Sequence, residues 1–288
     1  MLLATVVLWA LNFTVTKYVL EHGFQPLAYS TIRYGLATII FTWFTYGVEG
    51  SFRVRRRHVA LVVGAATVGI WLNQVSYVYA LDYSSASTIA LILGATPIFV
   101  ALIAFAVGLE RPHGRFWIAA AVSFGGVALI ALGKSSGISG SLKGDALGIA
   151  TAATWAAYTV AIAPLMRHYS PYRISALVLA IGWVGVALTG ITQTMHQSFD
   201  LGALVWICLG YAIIGPLVLT NILWFRAVNQ VGPSRAALIA NAQPFVAAIF
   251  ALVLLSESIT PLQVVGGLLI GGGILLARRR RAQPATTA

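Results

Sequence analysis

The stretches ALDYSSASTIALILGATPIFVALIAFAVGLE (residues 80–110) and AVNQVGPSRAALIANAQPFVAAIFALVLLSE (residues 227–257) are one segment written twice, 147 positions apart. Pro97 falls on Pro244, Ser87 on Ser234 and Glu110 on Glu257, and further along Gly125-Gly126 falls on Gly272-Gly273. A fixed internal spacing marks a repeat architecture, so the fold depends on what one repeat is. Each copy carries an apolar run of about 20 residues, the length an α-helix needs to cross about 30 Å of hydrocarbon.

The rest of the chain has the same character. Of its 288 residues 59% are apolar and 9% charged, with a mean hydropathy of +0.88, whereas charged residues make up roughly a quarter of a soluble domain. Apolar segments bounded by charges, Pro or Gly clusters fall at 2–20, 27–48, 59–81, 87–109, 116–132, 146–166, 174–194, 202–225, 236–255 and 262–277. They predict ten spanning helices. The runs are continuous and lack the alternation of a lipid-facing strand, which excludes a β-barrel. The fold class is all-α integral membrane.

The net charge of +11 raises the possibility of a nucleic-acid partner, but the positions of the charges argue against one. With the N-terminus cytoplasmic, fourteen of the fifteen arginines fall on one side: Arg53, Arg55, Arg56, Arg57, Arg111, Arg115, Arg167, Arg173, Arg226, Arg235 and Arg278 to Arg281. The other side receives only Lys17, Lys134 and Lys143, and Arg33 lies within a span. The positive-inside rule therefore places both termini in the cytoplasm. RVRRR and RRRR then read as topology signals, with contact to anionic lipid headgroups as the alternative. The first helix lacks a basic lead and a small-residue cleavage site, so it is read as a retained span. Cys208 is the only cysteine, which leaves neither a disulfide framework nor a cysteine metal cluster.

Because five spans per copy is an odd number, the second copy must enter the membrane from the opposite side, and the halves are related by inversion. Two similar halves can exchange conformations around a shared site, which is how alternating-access transporters work. The doubled Pro-to-Glu helices, the Gly pairs after them and Arg33-Tyr34 in the second span resemble the EamA repeat of the drug/metabolite transporter superfamily, most closely the YddG-type bacterial exporters of aromatic amino acids. The resemblance implies a first repeat over residues 1–134, a second over 144–281 and a polar cytoplasmic tail over 282–288. It also implies an inner-membrane location, export as the direction of transport, and a central cavity lined by the first, third, fourth, sixth, eighth and ninth helices. The second copy departs from the pattern where no arginine matches Arg33.

Polar residues inside a span must face protein or water. Trp9, Asn12 and Thr16 share a helical stripe, with Phe13 beside Asn12. Asn73 and Gln74 each lie one turn from Tyr77 in the third span. Trp155 and Tyr158 lie in the sixth span, Asn221 and Trp224 in the eighth, and Asn241 beside Pro244 in the ninth. These eleven residues (Trp9, Asn12, Phe13, Asn73, Gln74, Tyr77, Trp155, Tyr158, Asn221, Trp224 and Asn241) are the expected substrate contacts. The other reading of the amides is that they tie helices together, which contributes about 0.6–2 kcal/mol each. Arg33 is expected to reach backbone carbonyls or a substrate carboxylate, and Pro97 and Pro244 to kink or hinge their spans.

Rings beside amides suit a small amphipathic or aromatic solute such as an amino acid. A large polyanion would need more buried cations than the single Arg33. All seven acidic residues and all five histidines fall in loops or at helix ends, leaving no embedded proton carrier. A facilitator or exchanger follows, with an organic-cation exporter and a passive channel as the alternatives. Neither HExxH, a strand-borne GxSxG elbow nor a phosphate-binding loop is present (the letters at 133–137 follow an apolar helical run, not a strand), so an enzyme is not expected, nor are a metal, a cofactor or ATP drive. The expected partners are the solute and membrane lipid, and a monomer is favoured.

Overall fold

The computed structural model describes residues 1–108, 114–132, 138–231, 240 and 242–277, and among them no β-strand occurs. The chain runs through α1 (Leu2–Glu21), α2 (Pro26–Glu49), α3 (Arg56–Ala66), a π-helical turn (Thr67–Leu72), α4 (Asn73–Tyr83), α5 (Ala86–Leu93), α6 (Thr96–Ala106) and α7 (Gly114–Leu132). It continues through α8 (Ile138–Ile162), α9 (Pro171–Met195), α10 (Ala203–Ile213), a second π-helical turn (Ile214–Leu219), α11 (Thr220–Val231), α12 (Gln243–Leu254) and α13 (Pro261–Ala277). Glu110, Arg111, Lys134, Ser234, Arg235, Asn241, Arg278 to Arg281 and the tail 282–288 lie outside the described residues.

Six helical stretches among the described residues are long and apolar enough to cross a bilayer: Leu2–Glu21, Arg56–Tyr83, Ala86–Ala106, Leu142–Arg167, Pro171–Met195 and Ala203–Trp224. Gly114–Ile130, Gln243–Leu254 and Pro261–Leu276 are apolar but shorter. The outer surface is oily, with Trp43 80% and Leu188 67% exposed, while Asn12, Arg33, Asn73 and Gln74 are buried. Water would favour the reverse; hydrocarbon requires this arrangement, because it cannot solvate an amide or a guanidinium.

Local signals set the helix ends. Pro26 and Pro171 sit in first turns, where the missing N–H has no intrahelical partner to lose. Ser170 Oγ accepts from Arg173 N and Ser85 Oγ from Thr88 N, each at 3.2 Å, capping α9 and α5. Gly50, at φ +65°, takes the left-handed turn that ends α2. Pro97 interrupts the helical hydrogen bonding: α5 stops at Leu93 and α6 restarts at Thr96 with the proline in its first turn, while Gly94 and Ala95 between them keep right-handed helical backbone. Thr96 Oγ1 donates to the Leu93 carbonyl at 2.6 Å, replacing the N–H that Pro97 lacks.

The 147-residue register recurs in the backbone. The π-helical turns at Thr67–Leu72 and Ile214–Leu219 are offset by that amount at both ends, and so are the starts of α6 at Thr96 and α12 at Gln243. Contacts between the halves come in exchanged pairs. α1 packs on α12 as α8 packs on α6, and α1 crosses α10 and α11 as α8 crosses α3 and α4; α2 pairs with α9 and α7 with α13. The α7–α13 seam is the closest. A Cβ on Gly126 would stand 2.5 Å from the Gly266 carbonyl oxygen, and one on its counterpart Gly273 would stand 2.8 Å from the Ala119 carbonyl oxygen. Gly267 and Gly271 of α13 lie off this seam and face Leu91 and Phe245.

One end of the bundle is latched. After α12 the chain turns through Ser256 at φ 53°, and the Glu257 carboxylate accepts from Ala86 N at 2.8 Å, Ser87 N at 2.9 Å and Ser87 Oγ at 2.6 Å. A carboxylate on free N–H groups at a helix start is stabilised by both hydrogen bonding and the helix dipole. Glu257→Ala is expected to cost about 1.5–3 kcal/mol, read as a lower thermal midpoint in detergent; an unchanged midpoint would mean that the latch adds no stability.

Candidate functional site

At the middle of α1, Asn12 Nδ2 donates to Tyr77 Oη of α4 at 3.0 Å, and the Phe13 ring meets the Tyr77 ring edge-on at 5.7 Å. Asn12 is 8% exposed, and its Oδ1 has no hydrogen-bond partner among the described residues. One turn further along α1, Thr16 Oγ1 pairs with Tyr29 Oη of α2 at 3.2 Å. On α4, Gln74 is 6% exposed, donates from Nε2 to Asn73 Oδ1 at 3.3 Å, and leaves its own Oε1 unpartnered.

Asn73 is engaged differently. Its Nδ2 donates to the Thr151 carbonyl at 2.9 Å and to Thr154 Oγ1 at 3.0 Å, both on α8. Asn73 thus ties the first half to the second and has no free donor to offer a solute. Asn221 Nδ2 donates to the Leu217 carbonyl of its own helix at 2.5 Å. The Trp9 and Trp224 rings lie 5.4 Å apart, and Trp9 Nε1 reaches the Pro216 carbonyl at 3.4 Å. Tyr158 is buried with its ring pressed on Gly69, so closely that a Cβ there would overlap it. The Trp155 ring lies 5.2 Å from that of Tyr158, tilted by 44°, but is 43% exposed, facing outward more than its neighbour. Asn241 lies outside the described residues.

Asn12, Phe13 and Tyr77 therefore form one group, with Gln74 one turn from Tyr77 on α4; Trp9 and Trp224 form a second, and Trp155 and Tyr158 a third. An apolar cleft of about 240 Å³ between α3 and α8 has Tyr158 in its wall, with Ala60, Leu61, Gly64 and Val68 opposite.

The structure adds Arg33 to the first group. It is 2% exposed and sits between the rings of Tyr29 and Tyr34, 5.7 and 5.5 Å from their centroids. The phenols of Tyr77 and Tyr211 also lie within reach of its charge. Its Nε donates to the Ala212 carbonyl of α10 at 3.1 Å. That carbonyl lies four residues before Pro216, which has no N–H to give it. The pairing explains the broken symmetry at this site. Pro216 corresponds to Gly69 in the first half, which keeps its N–H, so no arginine is needed at Ala180, the position corresponding to Arg33. Two mismatches in the repeat, one arginine and one proline, were the available sequence signal. Arg33 Nη1 remains without a partner among the described residues.

The buried polar atoms without a partner among the described residues include two acceptors, on Asn12 and Gln74, and one charged donor, on Arg33, alongside hydroxyls such as those of Thr14 and Ser30. Among the described residues no three His, Cys, Asp or Glu side chains gather where a metal ion could bind.

The chain is similar over nearly its whole length to named transporters. It is 25% identical over 281 residues to the probable terminal-alkyne amino-acid exporter of Streptantibioticus cattleyicolor, covering 97% of this chain and 92% of that protein. It is 24% identical over 286 residues to the probable amino-acid metabolite efflux pump of Escherichia coli, covering 95% and 92%. The inner membrane transporter YicL of Salmonella typhimurium is 25% identical over 297 residues, covering 98% and 96%. A crystal structure sharing 16% identity superposes with a TM-score of 0.65 over 96% of this chain and 94% of that one, which establishes a common fold. The EamA-like transporter family matches residues 1–132 and again 142–279. With apolar helices of spanning length and a match to both halves, this chain is a membrane transporter belonging to the EamA-like family.

Proposed function

We propose that the protein exports zwitterionic amino acids, aromatic ones included, across the inner membrane by alternating access, without coupling to an embedded proton carrier. In this reading ten spanning helices form two inverted repeats, residues 1–134 and 144–281, with both termini in the cytoplasm. The carrying observation is the set of unpaired buried atoms. Asn12 Oδ1 and Gln74 Oε1 can only accept a hydrogen bond, which suits an ammonium group, and Arg33 Nη1 can only donate one, which suits a carboxylate. An unsatisfied buried polar group costs about 1–3 kcal/mol, and a solute carrying both charges would relieve all three. The Phe13 and Tyr77 rings supply a face for an apolar or aromatic side chain. Amino acids are also what the names of two relatives indicate for those proteins.

Counterflow in sealed vesicles tests this. Saturable exchange of labelled phenylalanine is expected, inhibited by other zwitterionic amino acids and at least about tenfold less by their methyl esters or N-acetyl derivatives, each of which lacks one charge. Organic cations competing as well as amino acids would favour the multidrug reading, and flux that never saturates would favour a channel. Uphill accumulation driven by a pH gradient alone would overturn the uncoupled mechanism.

A further inference from the structure

We propose that the arginine-rich end of the bundle carries a binding site for a phosphate-bearing anion, either an acidic lipid headgroup or a soluble phosphate. A pocket of about 350 Å³ lies between the loop leading into α3 and the turn leading into α9, lined by Arg53, Val54, Arg55, His168, Tyr169 and Arg173. In the orientation given by the arginine distribution, it opens to the cytoplasm at headgroup depth. Tyr46, exposed on α2, stacks on Phe52 with ring centroids 6.2 Å apart, the kind of aromatic pair found at a membrane interface.

The pocket is held in shape by contacts that leave the Arg53 and Arg55 guanidiniums out. The Arg55 backbone N–H donates to Tyr169 Oη at 3.0 Å, and His58 Nδ1 lies 2.9 Å from the same oxygen. Arg173 Nη1 donates to the Arg53 backbone carbonyl at 3.4 Å. Glu49, a carboxylate at this end, is already engaged by Arg173 Nε at 3.0 Å and by the Ser170 hydroxyl. Among the described residues no ion pair engages the Arg53 or Arg55 guanidinium. Arg55, the residue before α3, supplies no side-chain cap, so the positive end of that helix's dipole also lies beside the pocket. Two free guanidiniums and a third partly engaged, converging on a concave surface, are the donors a tetrahedral phosphate accepts from. Because the pocket joins a loop of the first half to a turn of the second, an anion there would bridge the two halves at this end.

The test uses the whole protein in detergent, probed separately with phosphatidylglycerol, phosphatidylcholine and inorganic phosphate. The readouts are lipid retention in native mass spectrometry and thermal stabilisation. Arg53→Gln/Arg55→Gln keeps every backbone contact that shapes the pocket. Arg56→Gln/Arg57→Gln removes the same charge from outside the lining and serves as the control. At about a tenfold change for every 1.4 kcal/mol and about 1 kcal/mol of interaction per arginine, the first variant should bind the anionic probe about 30-fold more weakly and the second nearly as the parent does. Preference for phosphatidylglycerol that only the first variant loses supports the site and identifies a lipid headgroup. Stabilisation by inorganic phosphate with no preference between lipids, again lost only in the first variant, supports the site and identifies a soluble phosphate. Equal loss in both variants, or binding of neither anionic probe, overturns it.

Discussion

Replacing Asn12 with leucine is expected to lower saturable amino acid exchange by at least about tenfold while leaving a folded, purifiable protein. The two consequences separate because Asn12 uses its two polar atoms differently. Its Nδ2 holds α1 to α4 through Tyr77, an interhelical bond worth about 0.6–2 kcal/mol. Its Oδ1 is buried and unpaired, so it adds nothing to the resting fold and is free for an ammonium group. Tyr77→Phe removes only the hydroxyl and keeps the ring contact with Phe13, so it separates the helix tie from the solute contact. If the tie alone mattered, the two variants would lose the same exchange activity. If the free carbonyl oxygen matters, Asn12→Leu should lose more, and asparagine replaced by aspartate, which keeps an acceptor, should recover part of it. Exchange at the parental rate in Asn12→Leu would remove this region from the substrate path.

Gly126→Leu is expected to be the most damaging single change to the fold, costing about 3 kcal/mol or more. The first atom of any side chain at that position would stand 2.5 Å from the Gly266 carbonyl and 2.9 Å from Ile270. The first of these is backbone in a packed helix and cannot move aside, so α7 and α13 would have to part. Close approach through small residues is how helices associate in lipid, where no hydrophobic effect drives them together. Gly125 is the control on the same helix, since a Cβ there meets nothing within 4 Å. Gly125→Leu should be nearly neutral, and by the exchanged contacts Gly273→Leu should resemble Gly126→Leu. Thermal unfolding and size-exclusion profiles of the three variants decide the matter; equal stability for the variants at 125 and 126 would mean that the seam is looser than it stands here.

The membrane character and the register of the repeat were legible in the chain, because apolar run length and a fixed offset are one-dimensional properties. Asn12, Gln74 and Tyr77 could also be placed on inward faces, since lipid accepts none of their polar groups. Spacing along one helix could not tell which amides already had partners. Asn73 and Gln74 are neighbours with the same chemistry, yet the first is bound to Thr151 and Thr154 on α8 and the second keeps a free oxygen. Nor could spacing reveal the π-helical turns, which lengthen a helical stretch without changing its hydropathy.

By itself the sequence determined that this chain lies in a bilayer, that its second half repeats its first, and that amides and rings stand where hydrocarbon would reject them. Tertiary structure alone decided their roles. Arg33 meets the carbonyl that Pro216 strands 179 residues away, and packing between helices left that arginine a free donor and Asn12 and Gln74 a free acceptor each. Hydrogen-bond satisfaction is a property of neighbours in space, and a chain read in order lists only neighbours along its length.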